Sequence, residues 1–372
     1  MLTRPLTRRG FGFAGAAIAA GFSEFAFAQR ANVAGAAPKD TVWLNANEFP
    51  DGPPDAAVKA MQRVIAESNR YHYREFEDFY KSIAAIEKLD AKQVVVGAGS
   101  SEVLHSAVDV FTSPTRPFIT CWPTFEAGPE LAAVEGHAVV KLPLSSTYAS
   151  DCKKLVAEAA KAGGGLIYIC NPNNPTGAIT TKEDIAWTVD NLPPNTFLLV
   201  DEAYLHFNTS PATESAMKYV HQGKNVLVMR TFSKIYGMAG LRAGYIAGRP
   251  DLMAKLEPYR NNVISVVAVR AVLAALDLGD KFVVERREKI GKTRGELISW
   301  LKQKKINYID PQANFMMIDT GHDISKMGPA MLAKGVAIGR PFPPYNNMMR
   351  VTIGSDADMA KFRSALAETL KV

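Results

Sequence analysis

A series of short, almost wholly apolar runs, each followed by a helix-period stretch, constrains this chain more than any other feature. The runs are Val94-Val95-Val96, Phe118-Ile119-Thr120, Leu166-Ile167-Tyr168-Ile169, Phe197-Leu198-Leu199-Val200 and Val226-Leu227-Val228-Met229. Strands apolar on both faces need cover on both faces, which predicts an α/β fold with a mostly parallel sheet between helices. After about residue 280 the texture changes. A charged helix, Lys281 to Lys305, precedes three short strands at Phe315 to Ile318, Val336 to Ile338 and Arg350 to Ile353. The expected division is an N-terminal arm over 29–59 that joins the small domain and the site rim, a large domain over 60–280, and a smaller α+β domain over 281–372. The 372 residues, 47% hydrophobic and 22% charged, suffice for a sizeable core.

The first residues read differently. Arg4, Arg8 and Arg9 make a positive leader, an Ala/Gly-rich run follows from Phe11 to Phe22, and Ala26-Phe27-Ala28 is a small-x-small triplet. That is the three-part pattern of a secretory signal over 1–28, too short for an ordinary membrane span. Thr7-Arg8-Arg9-Gly10-Phe11 resembles the twin-arginine type, whose receptor reads the arginine pair. The expectation is an exported, periplasmic enzyme with no stable membrane span after cleavage at Ala28. The net charge of +6 falls to 6 − 3 + 1 = +4 when the three arginines and Glu24 are removed. No basic block is left to bind nucleic acid. Cys121, Cys152 and Cys170 are odd in number and lack metal-ligand spacing, so neither a disulfide framework nor a metal site is expected.

In open α/β sheets, ligands sit beyond the carboxyl ends of the strands. Immediately after the strands stand Gly97-Ala98-Gly99-Ser100-Ser101, Asn171-Pro172-Asn173-Asn174-Pro175-Thr176-Gly177, Asp201-Glu202-Ala203-Tyr204, and Arg230-Thr231-Phe232-Ser233-Lys234 followed by Gly240-Leu241-Arg242. Singly, these read as a helix start, a rigid turn, a solvated cap and a surface lysine. Their order along successive strands is what carries weight. The set resembles the fold-type-I pyridoxal 5′-phosphate (PLP) enzymes of the aspartate-aminotransferase fold, and within them the histidinol-phosphate aminotransferase family. The resemblance runs from Val42 to Ile353 and includes Trp43-Leu44-Asn45-Ala46-Asn47-Glu48-Phe49-Pro50.

The resemblance implies a role for each matching residue. Lys234 would carry PLP as a Schiff base and shuttle the substrate proton, Asp201 would keep the ring nitrogen protonated, and Asn174 and Tyr204 would bond the ring's 3′-oxygen. Phe125 would stack on the ring. Gly99, Ser100, Ser101, Ser233 and Arg242 would hold the phosphate, and Tyr71 would reach the phosphate of a neighbouring subunit, making a homodimer with shared sites. Arg350 would fork onto the substrate's α-carboxylate, with Asn314 and Phe49 in the same substrate region. Arg340, a lone strand-end arginine, reads either as a contact for a second anionic group of the substrate or as a structural residue. Three positions depart from the family: Ser101 replaces a frequent acid, His72 a proline, and Phe49 a tyrosine whose hydroxyl helps hold a substrate phosphate. A phenyl ring donates no hydrogen bond. The expected reaction therefore moves an amino group between an amino acid and a 2-oxo acid, and histidinol phosphate is not the expected substrate. A lyase, decarboxylase or racemase on the same scaffold is the nearest alternative, and a non-catalytic binding protein the more distant one.

Overall fold

A computed structural model of the chain describes residues 37–259 and 264–372. The expected signal over 1–28 lies outside the described residues. Seven strands form one sheet in the order β2-β8-β7-β6-β5-β3-β4. These are β2 Val94–Gly97, β3 Phe118–Trp122, β4 Val139–Pro143, β5 Gly165–Cys170, β6 Thr196–Asp201, β7 Val226–Thr231 and β8 Gly244–Ala247. All neighbours run parallel except β8, which is antiparallel to both β2 and β7. The parallel part is what continuous apolar runs dictate: β5, parallel to both of its neighbours, is buried at every position.

Two strands of this sheet were not foreseen. β4 lies at the sheet edge and alternates half-buried with exposed residues, so it never forms an apolar run. β8 is four residues long and opens with a glycine, which reads as a turn in the sequence.

Helices cover both faces. The sheet helices include α3 Ser100–Phe111, α4 Ala127–Val134, α5 Cys152–Ala162 and α6 Lys182–Asp190; they follow α1 Asp55–Val64 and α2 Tyr73–Ile86 near the N-terminus, and α7 Met217–His221, α8 Pro250–Leu256 and α9 Val266–Leu276 come later in the chain. α5 starts on an Asp151 cap and ends at Gly163 in the left-handed region, the usual pairing of side-chain oxygen and glycine at opposite helix ends. Cys121, Cys152 and Cys170 are buried free thiols. Among the described residues no helix is long and apolar enough to cross a membrane.

Beyond α10, Gly279–Gln303, β9 Phe315–Asp319 pairs antiparallel with β11 Met348–Thr352, and α11 Ile324–Ala333 and α12 Asp356–Leu370 flank them. The N-terminal β1, Val42–Trp43, pairs parallel with β10, Val336–Ala337. The next residue, Leu44, donates its N–H to Ala337 O at 2.9 Å and accepts from Thr352 N at 2.9 Å. The start of the described chain is thereby stitched between two C-terminal strands.

Register decides where the site forms. Cys170 lies opposite Asp201, Asp201 opposite Met229, and Gly97 and Thr231 both opposite Gly244. The carboxyl ends of β2, β7, β6 and β5 therefore come level along one edge.

A charged network ties three of these segments together behind that edge. Arg230 of β7 donates to Glu202 Oε2 at 2.8 Å and to Glu87 Oε1 at 2.6 Å, and both carboxylates are buried. Glu202 also accepts from Ala216 N at 2.6 Å and from Ser215 Oγ.

Candidate active site

A cavity opens over that edge, lined by Ala46, Glu48, Ser100, Ser101, Phe125, Asp201, Ala203, Tyr204, Thr231, Ser233, Lys234, Ala239 and Arg242. It gathers residues from the N-terminal arm and from the ends of β2, β3, β6 and β7. Asp201 is 3% exposed and accepts twice: Oδ2 from the Tyr168 hydroxyl at 2.7 Å and Oδ1 from Ala203 N at 3.0 Å. Burial raises its carboxyl to about 6, and those two hydrogen bonds oppose the rise. Lys234 places its Nζ 3.4 Å from Ala46 O. Burial, then the nearby Arg350 charge, lowers its amine from the ordinary 10.5 to about 8, with Glu48 pulling the other way. A buried amine that loses its proton near neutrality is a nucleophile in waiting.

One end of the cavity is built for an anion. Gly99 precedes α3 with φ +86, a conformation an L side chain resists, and a Cβ there would lie 2.3 Å from the Arg242 guanidinium. The glycine lets that cation close over the free N–H groups at the helix start. The Ser100 and Ser101 residues and Ser233 share this end, and Ser233 Oγ accepts from Thr231 Oγ1 at 2.9 Å. A phosphate dianion matches this donor set. An aromatic ring with a cationic nitrogen matches the Phe125 side chain and the buried Asp201 carboxylate, and an aldehyde matches Lys234. The residues present fit PLP.

Behind the cavity lies a second set. Arg350 is 8% exposed; Nη1 donates to Asn174 Oδ1 at 2.7 Å and Nη2 to Asn45 O at 2.6 Å, while Nε has no partner. Asn314 donates from Nδ2 to Asn47 O at 3.1 Å and leaves a buried Oδ1 without a partner. Buried polar atoms without partners are costly, so these are atoms that a ligand would satisfy. Asn47, at φ 54, donates to the Tyr204 hydroxyl at 3.1 Å and takes Thr352 Oγ1 on its own N–H at 2.9 Å.

Seven sequence candidates are not among the lining residues: Gly99 adjoins the anion end, Asn174, Asn314 and Arg350 form the second set, and Phe49, Arg340 and Tyr71 make other contacts. Phe49 is 5% exposed, its ring stacked on Phe207 at 6.3 Å and facing the Arg286 guanidinium at 4.2 Å. That packing leaves the ring out of the cavity lining, beside Glu48, which belongs to it. Arg340 is engaged with Glu126. Tyr71 is 71% exposed and stacks on Tyr73 at 5.3 Å. Conversely, Tyr168, Asn47 and Glu48 are site residues that were not picked out in the sequence. Tyr168 looked like one more apolar residue of β5, and only the β5–β6 register brings its hydroxyl to Asp201.

Comparison with known proteins identifies the family. The family described as aminotransferase class I and II matches residues 39–366. The histidinol-phosphate aminotransferase of Symbiobacterium thermophilum is 34% identical over 335 residues, covering 89% of this chain and 91% of the relative. The aromatic amino acid aminotransferase of Cutibacterium acnes is 31% identical, covering 90% of this chain and 94% of the relative. The solved histidinol-phosphate aminotransferase of Sinorhizobium meliloti in complex with pyridoxal-5′-phosphate superposes with a TM-score of 0.82 at 25% identity, covering 90% of this chain and 91% of that one. With the fold of the aspartate aminotransferases and a cavity suited to their cofactor, this chain belongs to the class I and II aminotransferases, as a PLP-dependent transferase of amino groups.

Proposed function

We propose that Lys234 binds the cofactor covalently, that Asp201 holds its ring nitrogen, and that Arg350 receives the α-carboxylate of an amino acid whose amino group passes to the cofactor and then to a 2-oxo acid. The observation that carries this reading is that one cavity is lined both by a lysine whose amine is lowered to about 8 and by a buried carboxylate. Bound there, the cofactor supplies an electron sink for the bond broken at the substrate's Cα. The chain does the rest. Ser100, Ser101, Ser233 and Arg242 grip the phosphate so that the ring cannot drift. Asn174 and Tyr204 bond the ring's 3′-oxygen, and Phe125 covers one ring face. Arg350 forks onto the carboxylate in a fixed plane. Lys234 Nζ, its hold on a proton weakened by burial, would take the proton from the substrate's Cα.

Transfer is favoured over loss of carbon dioxide because Arg350 keeps hold of the carboxylate. Relatives acting on histidinol phosphate and on aromatic amino acids place the substrate among amino acids and related amines. The leader with Arg8 and Arg9 supports export to the periplasm as a folded, cofactor-loaded enzyme. Exposed Ile65, Tyr71 and Tyr73, at 65%, 71% and 67%, support a homodimer in which Tyr71 reaches the partner's phosphate site.

Borohydride reduction of the holoenzyme should tag the peptide containing Lys234, and Lys234→Ala should lower turnover by about 100-fold or more while keeping the fold. A tag elsewhere would refute the assignment. Tyr168→Phe removes a donor to the Asp201 carboxylate and so raises its pKa. Because the charged form is the one that holds the ring, cofactor binding should be lost at higher pH than in the wild type. A shift of roughly one pH unit in the acid midpoint of PLP affinity, followed by fluorescence, is expected; an unmoved midpoint would count against the role of Tyr168.

Mixing Lys234→Ala and Tyr71→Ala chains should produce heterodimers with one complete site and regained activity. Sedimentation as a monomer would end the shared-site idea. Replacing Arg8 and Arg9 by Lys should leave the enzyme in the cytoplasm, and undiminished export would discard the signal.

A further inference from the structure

Arg340 follows β10 and reaches from the C-terminal part of the chain to Glu126, which stands between the cavity-lining Phe125 and the first residue of α4. Its Nη2 donates to Glu126 Oε1, and its Nη1 to Pro341 O at 2.8 Å. The two side chains retain only 22% and 19% exposure. The Arg340 guanidinium lies 4.3 Å from the centre of the Phe342 ring, and that of Arg350 lies 4.8 Å from the same ring. Two cations thus lie against one phenyl ring, and the second of them is Arg350. Their fates differ. Arg350 keeps a buried Nε without a partner, whereas Arg340 is matched by a carboxylate of the chain itself.

That difference has a chemical meaning. An amino acid with an acidic side chain presents two carboxylates and calls for two cations. Here the second cation already has its counter-ion. An anionic side chain would have to displace Glu126 and then lie beside the carboxylate it displaced, which is repulsive in a partly dry cleft. The Arg340 loop has further holds of its own, the Pro341 bond and Trp122 Nε1 donating to Pro343 O at 3.1 Å, so Glu126 is not the sole anchor of that segment.

We propose that Glu126 is a specificity-determining residue, an internal stand-in for a substrate carboxylate, which engages Arg340 and restricts the enzyme to amino acids with uncharged side chains. The proposal rests on the reading of Arg350 as the α-carboxylate receptor.

The test uses holoenzyme and two unreactive carboxylates, glutarate and 3-phenylpropionate, with dissociation constants read from the cofactor absorbance. In Glu126→Gln, Arg340 is released, and the ratio of the two constants should move about tenfold in favour of glutarate. Adding Arg340→Gln to that variant should cancel the gain. Arg340→Gln alone should leave the ratio close to that of the wild type, because its charge is already taken. The proposal is overturned if the ratio in Glu126→Gln stays put, if the gain survives in the double variant, or if Arg340→Gln alone weakens glutarate about tenfold. An Arg350→Lys variant that binds 3-phenylpropionate as tightly as the wild type would instead remove the carboxylate reading beneath it, and the proposal with it.

Discussion

A single buried carboxylate organises this protein. Asp201 closes a strand that is otherwise hydrocarbon, where an isolated charge would be strongly disfavoured. What keeps it partly charged is the neighbouring backbone and one hydroxyl from the adjacent strand, and even so its carboxyl stands near 6. A group so poised gains from meeting a cation. The sheet register, the apolar strands and the cover of helices all serve to deliver that carboxylate to an edge where a cationic ring nitrogen fits.

The counterpart is Lys234, just past the end of the next strand. Burial and positive neighbours weaken its hold on a proton, as burial weakens the readiness of Asp201 to lose one. One environment thus shifts two groups toward their neutral forms, which suits an amine that must attack and an acid whose partner is supplied by the ligand. The Arg230 network alongside shows the opposite solution to burial. There every charge meets its partner within the protein and no vacancy is left for a ligand.

Much of this was legible in the residues, and the limits have physical causes. Continuous apolar runs announced the parallel strands, and the residues directly after them announced the site, because a strand end is a fixed address. Edge strand β4 and short antiparallel β8 escaped, one because half its side chains face water, the other because it starts on glycine. Tyr168 and Asn47 escaped for a different reason. Their contacts with Asp201 and Tyr204 depend on which strands become neighbours and on how the arm folds back, which local pattern does not encode. Phe49 adjoins the cavity-lining Glu48, while its ring packs against Phe207 and Arg286.

The guanidinium of Arg350 leans on the carbonyl of Asn45, a contact spanning 305 positions. Nearly the whole polypeptide must therefore be synthesised before that wall exists. A premature stop ahead of Arg350 and a nick that frees Asn45 would each undo that wall, since it is made where the two ends of the chain meet.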